Sequence, residues 1–291
     1  MKIAYSPLLL LLFLLATISS MPVVAEETSE PPEKPSIDYL TFGIVPQQSA
    51  SRLASLWVPI FKYLEEVTKK PIHFRTAPDI PTFEKRLAAG DYDFAYMNPY
   101  HYTVFSKNPG YKAFAKARGA RLKGIIVVRK DSPIKNLNEL NGTTLAVPAP
   151  AAFAASILTR AYLSSVGIQF TAKYVSSHDS VYRTVAKDLY TAGGGVIQTF
   201  ENVAPEIRDQ LRILWTSQGY TPHAFAAHPR VAEGLVKKVV IAMETMDQNA
   251  TGKALLDAIN FKGIEAASDS DWDDVRDLNI QLLDHLDGDD S

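Results

Sequence analysis

Short β-rich runs alternate with amphipathic segments along most of this 291-residue chain. The run Leu40 to Val45 precedes a segment, Leu53 to Val67, whose apolar residues recur at helical spacing. Further short strands are predicted at Ile72 to Arg75 and Phe94 to Met97, with a helix from Pro81 to Ala89 between them. Strands separated by helices indicate parallel pairing, and the pattern predicts an α/β protein with doubly wound sheets.

The alternation starts again after a longer apolar strand, Gly124 to Arg129. A strand is predicted at Thr144 to Val147, followed by a helix from about Phe153. Two later strands, Leu211 to Trp215 and Ala224 to Ala227, lead back toward the first unit. We therefore predict two lobes, each a doubly wound mixed sheet, joined by two hinge strands that allow closure over a ligand. The predicted bounds are residues 38–124 and 217–291 for lobe 1 and residues 125–216 for lobe 2.

The amino-terminal residues predict a cleaved export signal over residues 1–25 and a flexible leader over residues 26–37. Lys2 precedes the apolar run Leu8 to Ile18, and small residues follow at Val23 to Ala25. No later segment approaches the roughly 20 apolar residues that a membrane-spanning helix needs. The chain has no cysteine, which excludes disulfides and a lipid anchor on cysteine. We expect a periplasmic protein without an anchor.

Charge and motifs exclude several classes of function. The formal net charge is −2 without a basic stripe, which argues against a nucleic-acid partner. The residue types of a hydrolytic triad occur at Ser177, His178 and Asp179, but consecutive positions cannot converge as a triad does. No nucleophile elbow, phosphate loop or dinucleotide fingerprint is present, so we expect no enzyme. The protein is expected to be a monomer.

Three histidines, His101, His178 and His223, raise the alternative of a metal site. No HxH or HExxH pair places two of them on one element, and thiolate ligands are absent. We predict no metal and no cofactor.

The stretch Asp91 to Tyr102 marks a strand-to-helix step that is typical of ligand sites. Asn98 can cap a helix whose first residue is Pro99. That geometry places Tyr100 and His101 near the end of a strand, although the step is equally compatible with a simple change of element.

A second step of this kind occurs in the predicted lobe 2, at the tetrad SSHD. Ser177 can cap the following helix and His178 can face the cleft, while the alternative is a plain capped helix with Asp179 in its first turn. Gly193 to Gly195 predict either a close approach of backbone to the ligand or a tight turn. His223, near the return hinge, lies either in the cleft or on the surface.

Several segments, taken in order, resemble the substrate-binding proteins of the phosphate, phosphite and phosphonate transport family, a branch of the type II periplasmic binding proteins. The matching segments are FGIVPQQSA, DYDFAYMNPYHY, GIIVVRKDSPIKNLNELNGTTLAV, SSHDSVYRTVAKDLYTAGGG, LRILW and KALLDAINFKGIEAASDSDWDDVRDL. The resemblance implies a small-molecule or oxyanion ligand in a cleft between two lobes. It also implies transfer to an ABC transporter permease, or docking on the periplasmic domain of a sensor kinase.

The chain departs from that family where the first helix of lobe 2 begins. Family members present hydroxyl residues there, whereas this chain has PAPAAFAAS, with Ala152, Phe153 and Ala154 at the matching positions. A hydrogen bond to a charged group is worth about 1.5 to 3 kcal/mol, so we predict weakened oxyanion binding. Thr191 stands near the position of a family acidic residue, which argues against an aminophosphonate. The aromatic content favours a flat or partly apolar ligand. The predicted ligand-binding residues are Gln48, Ser49, Asn98, Tyr100, His101, Ala152, Phe153, Ser177, His178 and His223.

Overall fold

A computed structural model of the chain describes residues 39–286. The predicted signal over residues 1–25 and the leader over residues 26–37 lie outside the described residues. Between residues 39 and 286, no helix is both long and apolar enough to cross a membrane.

The described strands form two mixed sheets. The six-stranded sheet contains β1 (Leu40–Ile44), β2 (Ile72–Arg75), β3 (Phe94–Met97), β4 (Lys112–Ala117), β10 (Ala224–Ala227) and β11 (Ile264–Ala266) in the order β11-β4-β10-β3-β1-β2. The five-stranded sheet contains β5 (Gly124–Arg129), β6 (Thr143–Val147), β7 (Phe170–Tyr174), β8 (Ala192–Val196) and β9 (Leu211–Thr216) in the order β7-β6-β8-β5-β9. Parallel pairs formed by β1 with β2 and β3, and by β6 with β7 and β8, lie beside antiparallel strands in both sheets.

Helices connect and flank these strands. The α-helices are α1 (Ala50–Thr68), α2 (Ile80–Ala88), α3 (Pro99–Phe105), α4 (Thr159–Ser165), α5 (His178–Ala186), α6 (Ile197–Glu201), α7 (Pro205–Arg208), α8 (Glu233–Glu244), α9 (Ala250–Ala258) and α10 (Asp273–Arg276). A π-helix (Phe153–Leu158) leads into α4. Short 3-10 turns occur at Leu137–Leu140, Met246–Gln248, Asp269–Trp272 and Asp284–Leu286.

Side-chain caps set where the helices near the sheet ends begin. The Oδ1 atom of Asn98 accepts a hydrogen bond of 2.8 Å from the backbone N–H of His101, which caps α3. Ser177 Oγ accepts one of 3.1 Å from the N–H of Ser180 and caps α5. Both caps satisfy N–H groups that a helix leaves without an internal acceptor, and both confirm the predicted starts.

Two chain segments cross between the sheets, one after β4 and one after β9. They meet at an antiparallel bridge in which Leu122 and Tyr220 exchange backbone hydrogen bonds of 2.8 and 2.9 Å. The predicted fold class, two mixed α/β sheets joined by two crossing segments, is confirmed.

The glycines of β8 allow the π-helix to approach the five-stranded sheet. A Cβ atom on Gly194 would lie 2.0 Å from the carbonyl oxygen of Ala155, and one on Gly124 would lie 2.2 Å from that of Ala154. Gly193 to Gly195 are buried residues of β8, so the predicted tight turn is wrong.

The start of the π-helix is also buried against the other sheet. Ala152 and Phe153 belong to the same apolar cluster as Phe42 and Phe225 of the six-stranded sheet. Most other buried apolar residues of the five-stranded sheet form two separate clusters. The π-helix therefore packs against both sheets.

Candidate functional site

Five of the predicted ligand residues line one small cavity between the two sheets. Its volume is about 10 Å³, which is roughly the space needed for one water molecule. The five residues are Asn98, Ala152, Phe153, His178 and His223.

Direct hydrogen bonds connect the two sides of this cavity. The backbone N–H of His178 donates to the carbonyl oxygen of Gln47 at 3.0 Å. The Nδ2 atom of Asn98 donates to the carbonyl oxygen of Ala151 at 3.2 Å. Both bonds join an element of the six-stranded sheet to an element of the five-stranded sheet, so they hold this part of the cleft closed.

The floor of the cavity is the first turn of the π-helix. The carbonyl oxygen of Ala152 accepts hydrogen bonds from the N–H groups of Ser156 and Ile157, at 2.7 and 3.2 Å. The N–H groups of the preceding residues have no acceptor inside the helix and carry its partial positive charge. The side chains of Ala152, Phe153 and Ala154 carry no hydrogen-bond donor. Phe153 is 1% exposed and contacts the ring of Tyr220 edge-on, with ring centroids 5.5 Å apart.

His178 and His223 are both 2% exposed and electrically neutral at pH 7. Burial lowers the pKa of His178 to about 3, and its Nδ1 atom lies 3.2 Å from the hydroxyl of Thr199. Burial, with smaller contributions from His101 and His178, lowers the pKa of His223 to about 3. The imidazole of His223 stacks on Tyr96 with ring centroids 5.0 Å apart, and its buried Nε2 atom has no hydrogen-bond partner in the described part of the chain.

Tyr100 and His101 do not line this cavity, contrary to the arrangement predicted for them, although the Nε2 atom of His101 lies 2.9 Å from Nδ2 of Asn98, which does. The hydroxyl of Tyr100 accepts a 2.8 Å hydrogen bond from the backbone N–H of Leu283. The Nε2 atom of His101 lies 3.0 Å from Oε1 of Glu84 on α2, inside the larger sheet's core. The helical turn that begins at Pro99 directs both side chains toward neighbouring elements instead of the cleft.

The Tyr100→Phe variant is expected to lose about 1 kcal/mol of stability, because one buried hydrogen bond disappears. Amide hydrogen exchange at Leu283 should accelerate. The matched control is Tyr111→Phe, which removes a similar 3.0 Å bond to the carbonyl oxygen of Tyr92 and should leave exchange at Leu283 unchanged. Unchanged exchange at Leu283 in Tyr100→Phe would show that the tyrosine does not hold the carboxy-terminal segment.

Three other predicted ligand residues do not line the small cavity: Gln48, Ser49 and Ser177. Gln48 and Ser49 line a separate surface groove of about 480 Å³ that also contains Arg52 and Asp179. Ser49 caps α1 by accepting a 3.3 Å hydrogen bond from the N–H of Arg52. The hydroxyl of Ser177 is likewise occupied as the cap of α5.

Sequence reasoning missed several apolar residues of the cavity wall. They share one feature, a position at the end of a strand or in a crossing segment: Val45, Leu122 and Val196. Val45 and Val196 carry no polar group, so only their positions at the ends of strands could have predicted that they line the cavity. No group of three or more metal-binding side chains occurs within residues 39–286.

Comparisons with known proteins show the family of the chain and relatives that share its fold. Residues 42–272 match the family model described as ABC transporter, phosphonate, periplasmic substrate-binding protein. The chain is 21% identical to the phosphate-import protein PhnD of Mycolicibacterium smegmatis (strain ATCC 700084 / mc(2)155), over 81% of this chain and 84% of that protein. It is 22% identical to the phosphonates-binding periplasmic protein of Escherichia coli (strain K12), over 92% of this chain and 81% of that protein. Among solved structures, PhnD1 from Prochlorococcus marinus (MIT 9301) in complex with methylphosphonate is similar with a TM-score of 0.78 and 17% identity, over 84% of this chain and 98% of that one.

Proposed function

The chain belongs to the family of periplasmic substrate-binding proteins of phosphonate ABC transporters, and on that premise we propose that it captures a small solute between its two sheets and delivers it to a membrane permease. The family consists of transport proteins rather than enzymes. The removable signal predicted over residues 1–25 supports action in the periplasm.

The proposed mechanism is closure about the two crossing segments. Residues 38–124 with 217–291 form one lobe in this proposal, and residues 125–216 form the other. The hydrogen bonds from His178 to Gln47 and from Asn98 to Ala151 join groups that meet only when the lobes are together. A ligand that contacts both lobes favours the closed form by the difference in its contacts between the two states.

The ligand that we propose is flat or partly apolar, rather than phosphate or a simple alkylphosphonate. The observation that carries this proposal is the composition of the π-helix start, where Ala152, Phe153 and Ala154 supply no hydroxyl and leave about 10 Å³ of space. Three missing hydrogen bonds to an anion, at about 1.5 to 3 kcal/mol each, correspond to an affinity lower by a factor of about 10³ or more.

Calorimetry of the mature protein, beginning at residue 26, tests this ligand class. We expect phosphate, phosphite and methylphosphonate to bind with dissociation constants no better than about micromolar, in line with the lost donors. A triple variant, Ala152→Ser, Phe153→Thr and Ala154→Ser, supplies hydroxyls and space at the helix start and should bind methylphosphonate more tightly than the wild type. Nanomolar binding of phosphate or methylphosphonate by the wild type would overturn the proposed ligand class.

A further inference from the structure

A second and larger cavity of about 370 Å³ lies beside the crossing segments. We refer to it as the hinge-side cavity. One wall is the crossing segment from Ala117 to Lys123, and the other walls come from the start of α6 and from the loop that contains Phe261. Leu122, Val196 and His223 line both this cavity and the small one, so the two are neighbours separated by a single layer of side chains.

The difference in volume decides which cavity can hold a solute. Small-molecule sites in proteins usually measure about 300 to 1,000 Å³, a range that includes the hinge-side cavity. The small cavity, at about 10 Å³, has room for one water molecule at most. Of these two neighbouring cavities, only the hinge-side cavity therefore has room for a solute.

Aromatic and aliphatic side chains form the inner wall of the hinge-side cavity. Tyr96 and Phe261 are each 5% exposed, and their ring centroids lie 6.2 Å apart. Leu122 and Val196 complete the apolar surface. Such a wall favours a ligand with a flat, apolar body, because aromatic faces pack against rings at separations of this order.

One buried polar atom at this wall has no hydrogen-bond partner among residues 39–286. It is the Nε2 atom of His223, whose side chain is 2% exposed and stacked on Tyr96. A buried polar group without a partner is destabilising, and a ligand atom that pairs with it removes that penalty. The imidazole can donate or accept at this position, depending on its tautomer.

The rim of the cavity is predominantly cationic. Arg118 and Arg121 form ion pairs with Asp247 and Asp274, respectively. Lys123 and Lys262 also line the cavity, and neither is ion-paired to any residue between 39 and 286. The rim has one acidic residue, Glu201. Two unpaired ammonium groups favour an anionic group on the ligand at the rim.

We infer that the hinge-side cavity is the ligand site, and that it takes a small aromatic or heteroaromatic carboxylate with its ring against Tyr96 and Phe261. Its carboxylate lies toward Lys123 and Lys262, and a ring substituent or ring nitrogen pairs with His223. This inference rests on the proposed function, since it names the place and the chemical class of the solute.

Calorimetry of the mature protein with benzoate, 4-hydroxybenzoate and nicotinate tests the inference. We expect at least one of these probes to bind the wild type with a dissociation constant below 100 μM, roughly the affinity expected for a small ligand at an efficient site. Ala120→Trp, which fills the cavity from the crossing segment, should weaken that binding more than tenfold. The double variant Lys123→Ala and Lys262→Ala should weaken it about tenfold while leaving the thermal melting curve unchanged, because both lysines are exposed.

The matched control is the double variant Lys135→Ala and Lys173→Ala, which removes two exposed lysines away from the cavity and should bind like the wild type. His223→Phe retains a flat ring but removes the unpaired nitrogen, and a several-fold weaker affinity is expected.

Two results would overturn the inference. If the wild type binds none of the three probes, the proposed carboxylate class is wrong. If it binds one of them and both the Ala120→Trp and the cavity-lysine variants bind equally well, the site lies elsewhere. Neither result decides whether the protein captures a solute for a permease. The ligand class given under the proposed function fails separately, through nanomolar binding of phosphate or methylphosphonate by the wild type.

Discussion

The Gly194→Ala variant is expected to lose about 3 kcal/mol of stability, at the upper end of the usual range for overpacking. The new Cβ would lie 2.0 Å from the carbonyl oxygen of Ala155 and 2.9 Å from the hydroxyl of Thr159. The hydroxyl of Thr159 donates a 2.8 Å hydrogen bond to the carbonyl oxygen of Ala155. The atom that the new methyl group would meet is therefore a backbone oxygen fixed in place, and it cannot move aside as the end of a flexible side chain could. The π-helix must move away from the five-stranded sheet to admit one methyl group.

The control for this experiment is Gly234→Ala on α8, where a Cβ would meet no atom within 4 Å. Alanine is the better helix former, so this variant should gain about 0.5 kcal/mol. Denaturant unfolding of both variants and the wild type measures the two effects. A loss below about 1 kcal/mol for Gly194→Ala would mean that the π-helix is not pressed against β8 as described.

Acidification from pH 7.5 to pH 5.5 is expected to lower the free energy of unfolding by about 3 kcal/mol. Burial lowers the pKa of His178 and of His223 from the ordinary value of 6.5 to about 3. Between those values the unfolded chain binds protons that the folded chain does not, so stability falls as the pH falls below 6.5. Each histidine contributes about 1.4 kcal/mol at pH 5.5. Burial raises the pKa of Asp179, whose proton uptake acts in the opposite direction.

Urea unfolding at several pH values measures this dependence. His178→Gln and His223→Gln should each halve the decrease in unfolding free energy between pH 7.5 and pH 5.5. This expectation holds whatever each substitution does to the stability at pH 7.5. The half-buried His73 provides the matched variant, since His73→Gln leaves His178 and His223 in place. A double variant, His178→Gln with His223→Gln, that retains the full pH dependence would show that other groups are responsible.

Local sequence patterns were sufficient to predict those strands that have clear breaks in the sequence at both ends. β2, β3, β5 and β10 occur at the predicted residues because each is a short apolar run between prolines, glycines or polar residues. β4 was missed, since its lysines at both ends of an alanine-rich segment give little β signal, and the strand exists through pairing with the distant β10 and β11.

The start of the helix near Phe153 was predicted, but its widened π-helical first turns were not. Their geometry depends on Gly124 and Gly194, which are remote in sequence and leave room for the carbonyl groups of Ala154 and Ala155. Helical periodicity carries no information on a contact of that kind.

Local sequence patterns also predicted only part of the candidate site. Asn98 and Ser177 were identified as caps because capping depends on residue type and a spacing of a few residues. The directions of Tyr100 and His101 depend on what packs around α3, namely the segment containing Leu283 and the carboxylate of Glu84. Each residue of a helix turns by about 100° from the last, so a correct start does not fix which side chain faces the cleft.

The strand order has a consequence for how the chain assembles. The five-stranded sheet is drawn from one continuous stretch, residues 124–216, whereas the six-stranded sheet receives β10 and β11 from the chain that follows it. Contacts close in sequence form sooner, so the smaller sheet can be complete while the larger one still lacks β10, the strand between β3 and β4. A product truncated before residue 224 would leave β3 and β4 with open edges, the kind of surface that recruits other chains and aggregates.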